Sequence, residues 1–465
     1  MAHQQEEFTI TSQRYFLSGI FILALILRLI FFFTFLRYGD NAWLPFDSDQ
    51  YYRIAQNLCA GKGICFSIGQ PEMYRLPGYS LFLAPCLMYG SIMCALLVQI
   101  ILSCLIPLLI FFLTLRLNFS LSCARFAAVM SCLHAGFITY AGMVATETLF
   151  LIFLLCFFII FLPCINVLRC SSSPVCSLLR MCAAGGILGI LSLIRPVGHY
   201  VLILSAIMLV LGMPWREAFK KIGVLILGWI IVVAPWLARS FMLCGALCFH
   251  TLPGLHFLQY TAAYIIMERD HCSYAVARPL LMNQRDMAFA QEKRHKKRPL
   301  TEYEECCCAQ KIARSYVVNY PWLFLKTACV QMLKTCFGLY AAQLLMTDAD
   351  RWPTYTYQTT LWTKIKRFLV PDVRHRFLIF FIYYEILLWL LLLIGLGGAL
   401  IAAWHDSMTR CALAKSLPFM ILFIGITLAY GCARLRVPLE PFMVIFSGVG
   451  WLWLHGYWLK KKNIS

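Results

Sequence analysis

The chain has 465 residues, of which 61% are hydrophobic, 15% aromatic and only 13% charged, and 40 Lys and Arg against 21 Asp and Glu give a formal charge of +19. A soluble domain is about one-quarter charged and could not clothe its surface with so few polar groups, so an ordinary cytosolic enzyme and a disordered chain are both excluded. Long unbroken apolar runs exclude a membrane β-barrel, whose strands alternate in polarity. They leave an all-α polytopic membrane bundle whose basic excess belongs to loops and lipid headgroups.

A span needs roughly 20 apolar residues. The first run, Tyr15 to Leu36, is interrupted only by Arg28. It lacks the basic leader and small-residue cleavage site of a signal peptide and reads as a retained span. Leu76 to Leu115 carries no charge. Pro77, Gly78, Pro85 and Gly90 divide it into a membrane-surface helix near 79–89 and a span near 91–115. Further runs fall at about 123–142, 145–167, 178–194, 197–213, 221–241, 377–404, 415–433 and 438–459. A weaker segment at 321–345, with Lys326, Gln331 and Lys334, reads as interfacial. The expectation is about 10–13 transmembrane helices forming one domain over 1–465. No solenoid period or pair of broken helices is visible.

Lys and Arg in short loops set the orientation. Arg116 with Arg125, Arg169 with Arg180, and Arg216 with Lys220 and Lys221 occupy alternate loops, which puts the N-terminus inside. Lys460, Lys461 and Lys462 put the C-terminus inside as well. Two large segments, 38–90 and 242–376, then lie on the extracytoplasmic side, a parity that requires either 346–376 outside and 321–345 not crossing, or one further helix. The 22 cysteines sit mostly in apolar runs, where Cys behaves as a small hydrophobe. Cys59 with Cys65 and Cys244 with Cys248 are candidate outer-loop disulfides. Cys306-Cys307-Cys308 has poor spacing for metal ligands, and His250 and His256 make no metal signature. The basic turn Lys293–Arg298 reads either as a solvated turn or as a contact for lipid phosphates or an anionic acceptor.

The chemistry concentrates in the first outer segment. Asp47 and Asp49 stand just beyond a span, and a helix from Asp47 would put Tyr51 on its side at i+4. Spacing favours Asp47 as the cap of that helix; the other reading, not exclusive of the first, is a general base whose carboxyl desolvation lifts towards working pH. Arg75, Arg195, Arg239, Arg434 and Arg436 fall near the outer face, where topology does not explain them. Each suits either a carboxylate partner or a departing phosphate.

Several segments, in order, resemble the GT-C glycosyltransferases, in the branch related to protein O-mannosyltransferases and the lipid A aminoarabinose transferase. They are Asp47-x-x-x-Tyr51-x-x-x-Ala55, Gly61-x-Gly63 and Arg75-x-Pro77-Gly78-Tyr79-x-Leu-Phe-Leu-Ala84. Glu147-Thr-Leu-Phe150, Ile194-Arg195-Pro196, Ala234-Pro235-Trp236-x-x-Arg239 and Arg434-Leu435-Arg436-x-Pro438-x-x-Pro441 follow. Ser240 stands where Asn is usual and Leu435 where Tyr is usual.

The resemblance implies a membrane enzyme of GT-C type with juxtamembrane helices in its outer loops. It implies a polyprenyl-phosphate sugar as donor, a lipid, glycan or protein hydroxyl as acceptor, and transfer with inversion at the extracytoplasmic face of the cell membrane. Asp47 falls at the catalytic carboxylate, and Glu147 and Asp49 at a second acidic site. Arg75, Arg195, Arg434 and Arg436 fall at the donor phosphate, and Tyr51, Tyr74 and Tyr79 in the substrate cavity. No cofactor is implied with certainty; relatives differ in their use of a divalent metal, and no spacing here settles it. Nucleic acid is not an expected partner. A transporter or flippase would also use apolar spans and buried arginines, and a glycan polymerase or ligase would apply the same chemistry to a lipid-linked oligosaccharide.

Overall fold

The computed structural model describes residues 2–36, 47–67, 71–165, 174–345, 362, 376–428 and 430–462. Arg169 and all but Trp362 and Arg376 of the stretch 346–376, both invoked for topology, lie outside the described residues. The first half contains α1 (Ala2–Leu36), α2 (Ser48–Cys59), α3 (Gly78–Tyr89), α4 (Ile92–Ser103), α5 (Leu105–Arg116), α6 (Leu121–Leu133), α7 (Ala135–Thr139), α8 (Glu147–Phe161), α9 (Pro174–Ile194), α10 (Val197–Gly212) and α11 (Trp215–Cys244). The second contains α12 (Leu252–His256), α13 (Ala263–Asp270), α14 (Tyr274–Lys296), α15 (Glu302–Asn319), α16 (Pro321–Phe337), α17 (Tyr340–Leu345), α18 (Arg376–His405), α19 (Ser407–Gly425) and α20 (Glu440–Lys462). Among the described residues there is no strand, only an isolated bridge between Cys65 and Pro71.

Among the described residues eight helices, with α4 and α5 counted together, are long and apolar enough to cross a membrane, and α6 with α7, bent by 53°, makes a ninth if the pair is one span. The tenth expected run is α10, an apolar helix of 16 residues. The protein is thus a multi-pass helical bundle. The segment read as interfacial forms α16, which is not among the membrane-length helices. It packs against α13, α19 and the short helical turns at 426–428 and 433–436.

Lipid-soluble helices gain little by burying Leu against Leu, so close approach of backbones matters more. Two helix pairs are built this way. A Cβ on Gly185 would lie 2.0 Å from the Leu225 carbonyl oxygen, and one on Gly228 would lie 2.1 Å from that of Cys182, so α9 and α11 meet backbone to backbone. Gly395 and Gly450 do the same for α18 and α20. The most enclosed span is α8. Its Phe158 meets Phe419 and Phe442 edge-on, with ring centres 4.8 and 5.0 Å apart, and so ties α19 and α20 to the middle of the bundle. Arg28 is buried in mid-α1 and donates to the Ala24 carbonyl at 3.1 Å.

Two pieces lie outside the spans and position the site. α2 is amphipathic: Ser48, Tyr51, Ile54 and Ala55 are buried along one face, while Arg53 is exposed. The segment from α12 to α15 has a small core of its own around Leu258, Ala262, Ile266, Leu281 and Ala313. Its last helix opens with a reciprocal cap between Thr301 and Glu304.

Candidate functional site

Asp47 occupies the N-cap position of α2, yet its carboxylate makes no capping bond. The first turn closes instead on its backbone carbonyl, which accepts from Gln50 and Tyr51 at 3.1 and 3.4 Å. This leaves the Asp47 carboxylate, about one-third exposed, to face two guanidinium groups: Oδ2 lies 3.3 Å from Nη1 of Arg75 and 3.3 Å from Nη1 of Arg434. Burial pushes the carboxyl up, but Arg434 and Arg75 pull it further down, and it titrates below the ordinary aspartate range. The expectation of a raised carboxyl is therefore corrected: the nearby cations outweigh desolvation.

Arg75 is held by its own turn and by distant parts of the chain. The Glu72 carboxylate accepts from the Tyr74 and Arg75 amides at 2.8 and 3.0 Å and closes the turn. Arg239 at the end of α11 donates to the carbonyls of Glu72 and Ile64 at 3.0 and 2.9 Å. Glu302 at the start of α15 accepts from the Met73 amide at 3.2 Å and the Thr251 hydroxyl at 3.3 Å, and the Thr251 amide donates to the Met73 carbonyl at 2.9 Å. The guanidinium of Arg75 then lies over the rings of Tyr74 and Tyr51 at 4.9 and 5.5 Å and donates to Gln50. Burial and the charge of Glu72 push Glu302 up to about 7.

The third part is the turn before α8. Gln99 donates to the carbonyls of Tyr140, Ala141 and Met143 and accepts from the Tyr79 hydroxyl at 2.8 Å, while the Ala145 amide donates to that hydroxyl at 2.9 Å. Ser48 donates to the Val144 carbonyl and so fastens α2 to the same turn. This network fixes Glu147, fully buried at the head of α8. Arg195, just past α9, donates to it at 2.9 Å; Arg434 donates to it through Nε and, at 3.4 Å, through Nη2. Arg434 thus bridges both acids. The loop that carries it approaches α16 closely: a Cβ on Gly431 would lie 1.8 Å from the Gln331 carbonyl oxygen. Three guanidinium groups (Arg75, Arg195, Arg434) against two carboxylates (Asp47, Glu147) leave one net positive charge, which suits an incoming phosphate.

The structure therefore brings Asp47, Arg75, Glu147, Arg195 and Arg434 into one cluster from five separate parts of the chain. Tyr51 lies under Arg75 and Tyr74 beside it. Tyr79 is fully buried in the Gln99 network and lines no open space. Asp49 is exposed and pairs with Arg53 at 2.9 Å, away from the cluster. Arg436 is buried elsewhere. It pairs with Glu440, donates to the carbonyls of Thr335, Cys336 and Gly338, and lies over Trp389 at 4.3 Å. Glu440 also meets His134 at 3.0 Å and Tyr340 at 3.0 Å.

Sequence reasoning missed Glu72, Gln99 and Glu302, and considered His256 only as a metal ligand. Only Glu72 left a local signal, a carboxylate two and three residues before the amides it accepts from. His256 lies within electrostatic reach of Asp47 and Arg75; burial and the Arg75 charge lower it to about 4, so it is neutral near pH 7.

Cys59 donates to the Ala84 carbonyl and Cys65 to that of Lys62, so these two form no disulfide; the thiols of Cys244 and Cys248 are 4.0 Å apart, in hydrogen-bonding contact and without a disulfide. In the basic turn, Lys296 and Arg298 both pair with Glu304 at 2.7 Å. Among the described residues no three His, Cys, Asp or Glu side chains converge as metal ligands would.

No protein-family model matches the chain, and no curated protein matches it. Among solved structures it is similar to the Archaeoglobus fulgidus oligosaccharyltransferase tethered with an acceptor peptide, at 11% identity over 94% of this chain and 49% of that one, with a TM-score of 0.49. It is similar also to the oligosaccharyltransferase AglB of that organism in complex with an inhibitory peptide and a dolichol-phosphate, at 12% identity over 97% and 52%, with a TM-score of 0.46. ArnT from Cupriavidus metallidurans matches at 12% identity over 93% and 77%, with a TM-score of 0.38. The chain spans about half the length of the two oligosaccharyltransferase chains.

Proposed function

We propose that this protein is an integral-membrane glycosyltransferase of GT-C type. It moves a sugar from a polyprenyl-phosphate donor to an acceptor hydroxyl at the extracytoplasmic face of the cell membrane. The single observation that carries the reading is the cationic cluster at the ends of the spans, in which Asp47 alone combines a carboxylate with substantial exposure. The motifs that resemble that superfamily include all five residues of the cluster, while Arg436 and Tyr79 of the same motifs lie elsewhere.

In this reading Arg75 and Arg434 take the donor phosphate, and Arg195 holds Glu147 so that Arg434 keeps its place. Asp47 rests as a weak base because two guanidinium groups hold its charge. A phosphate that engages them draws their field away and restores basicity to Asp47 when donor is bound. The acceptor hydroxyl gives its proton to Asp47 and its oxygen bonds to the anomeric carbon. The bond from that carbon to the phosphate oxygen breaks on the opposite face, and polyprenyl phosphate leaves with the electron pair. One displacement inverts the anomeric centre.

The test is incubation of the purified protein in nanodiscs with radiolabelled polyprenyl-phosphate sugars and candidate lipid, glycan and protein acceptors. Labelled acceptor and released polyprenyl phosphate are expected. Near-normal transfer by Asp47→Asn removes Asp47 as the base. Arg28, a charge in mid-span, is the one observation that favours a transporter; movement of the lipid-linked sugar across the bilayer with no transfer would establish that reading instead.

A further inference from the structure

Beside the cluster the fold lines up tyrosines that neither the spans nor the proposed transfer step uses. The chain between α12 and α13 leaves α-helical geometry for a π-helical turn over Phe257–Ala262, a distortion frequent at functional sites. This turn presents Tyr260. Its ring lies 4.6 Å from that of Tyr430, on the Arg434 loop, and 5.2 Å from His256. It runs nearly parallel to that of Tyr274, with centres 6.4 Å apart and planes within 12°. Tyr260 lies within electrostatic reach of Asp47, Arg75 and Tyr74. The row therefore begins at the cluster and leads away from it along the second large segment.

Tyr74, Tyr260, Tyr274 and Tyr430 are all partly exposed. None of their four hydroxyls has a hydrogen-bond partner among the described residues, whereas those of the fully buried Tyr79 and Tyr340 both do. Buried phenols normally find a partner, so accessible unpartnered ones arranged in a row are available to a ligand. A lipid chain would favour Leu, Ile and Phe over tyrosine. A peptide bound through its backbone would favour a strand edge, and no strand exists among the described residues. A sugar ring matches both halves of each tyrosine: its C–H face lies on the ring and its hydroxyls bond to the phenol.

We infer that Tyr260, Tyr274 and Tyr430, with Tyr74 and His256 at the inner end, form a saccharide-binding cleft that presents a carbohydrate acceptor to Asp47. This rests on the glycosyltransferase reading for its acceptor role and makes the acceptor a glycan rather than a peptide.

Binding is separable from transfer. Saturation-transfer NMR on the full chain in nanodiscs, with maltotriose, cellotriose and N-acetylchitotriose as probes, measures the cleft directly. Wild type and Asp47→Asn are expected to pass saturation to at least one trisaccharide. Tyr260→Ala and Tyr274→Ala should weaken that binding about tenfold, and Tyr260→Phe, which keeps the ring, should weaken it less; unchanged melting temperatures show that the variants fold. Absence of saturation transfer from wild type to all three probes, or equal binding by wild type and Tyr260→Ala, overturns the cleft. Saccharide binding without any transfer from labelled donors sinks the enzyme reading and leaves the cleft standing. Transfer to a glycan with unchanged acceptor KM in Tyr260→Ala sinks the cleft and leaves the enzyme.

Discussion

Arg434 and Arg436 stand two residues apart, and the fold gives them opposite situations. Arg434 shares its donors between two acids, one of them partly open to solvent, in a cluster with a surplus positive charge. Arg436 is 1% exposed, donates to a carboxylate and three carbonyls, and is covered by Trp389 and Tyr340. The second network is closed. Its Glu440 is engaged by His134 and Tyr340, and the neighbouring Glu385 accepts from the Tyr340 and Ala341 amides at 2.6 and 2.9 Å. A buried network whose charges are paired holds helices together, because breaking such a pair leaves a charge without compensation. A network with net charge and an exposed member is suited to hold a ligand. Burial of an arginine therefore does not separate scaffold from site; the balance of charges and the access to solvent do.

The comparison can be broken at its most consequential residue first. Asp47→Asn should lower transfer by about 10²- to 10⁴-fold, the usual worth of a positioned base, while membrane insertion and melting temperature change little; the radiolabelled-donor assay and a thermal scan read both. Next comes the arginine pair. Arg436→Ala leaves Glu440 buried without its main partner and should cost about 3–5 kcal/mol, seen as a large fall in melting temperature or in folded yield. Arg434→Ala should fold better than Arg436→Ala and raise the donor KM. If the two variants melt alike, the division into scaffold and site fails.

A smaller effect attaches to Glu302, which joins the second large segment to the Arg75 turn. Its carboxyl is raised from 4.5 to about 7 in the fold. For a raised group, stability is fully present below the unfolded value and is lost as pH rises through the folded one. The melting temperature of the native protein should therefore fall between about pH 4.5 and pH 7 by an increment that Glu302→Gln, which keeps the hydrogen bonds, abolishes. An identical pH dependence in the variant would show that Glu302 is not the titrating group. The smallest effect belongs to Asp49→Asn: an exposed ion pair is worth at most about 1 kcal/mol, so transfer and melting should both stay near wild type. A large loss of transfer would put Asp49 back among the acids of the site.

Much of the architecture was legible because spans obey a one-dimensional rule. Among the described residues the ten apolar runs of near-span length became eight membrane-length helices, the broken α6–α7 pair and the 16-residue α10, while α16, with Lys326, Gln331 and Lys334, is not of that class. Arg75, Arg195 and Arg434 could be picked out as charges near the outer face with no topological reason to be there, Asp47 as an acid just beyond a span, and Glu147 only through the resemblance. Arg436 could not be told from Arg434, because both satisfy that description and differ only in which way a short helical turn at 433–436 points them. Tyr79 was misleading in a related way: it stands beside site residues in sequence, but its α3 turns it into the Gln99 network. Glu302 lies far along the chain from the Met73 amide it holds, and no local pattern announces such a partner.

The order of residues alone implies that the protein spans a membrane many times and that, Arg28 apart, its unusual charges fall at one end of those spans, because both follow from hydropathy and the cost of placing charge in lipid. Tertiary structure decided which of those charges meet. It turned Asp47 away from the helix it begins and towards two arginines, and it sealed Arg436 behind aromatic rings. It also brought the tyrosines of the second segment alongside the first. Those outcomes depend on the angles and close contacts at which helices pack, and contacts between residues hundreds of positions apart leave no periodicity to read.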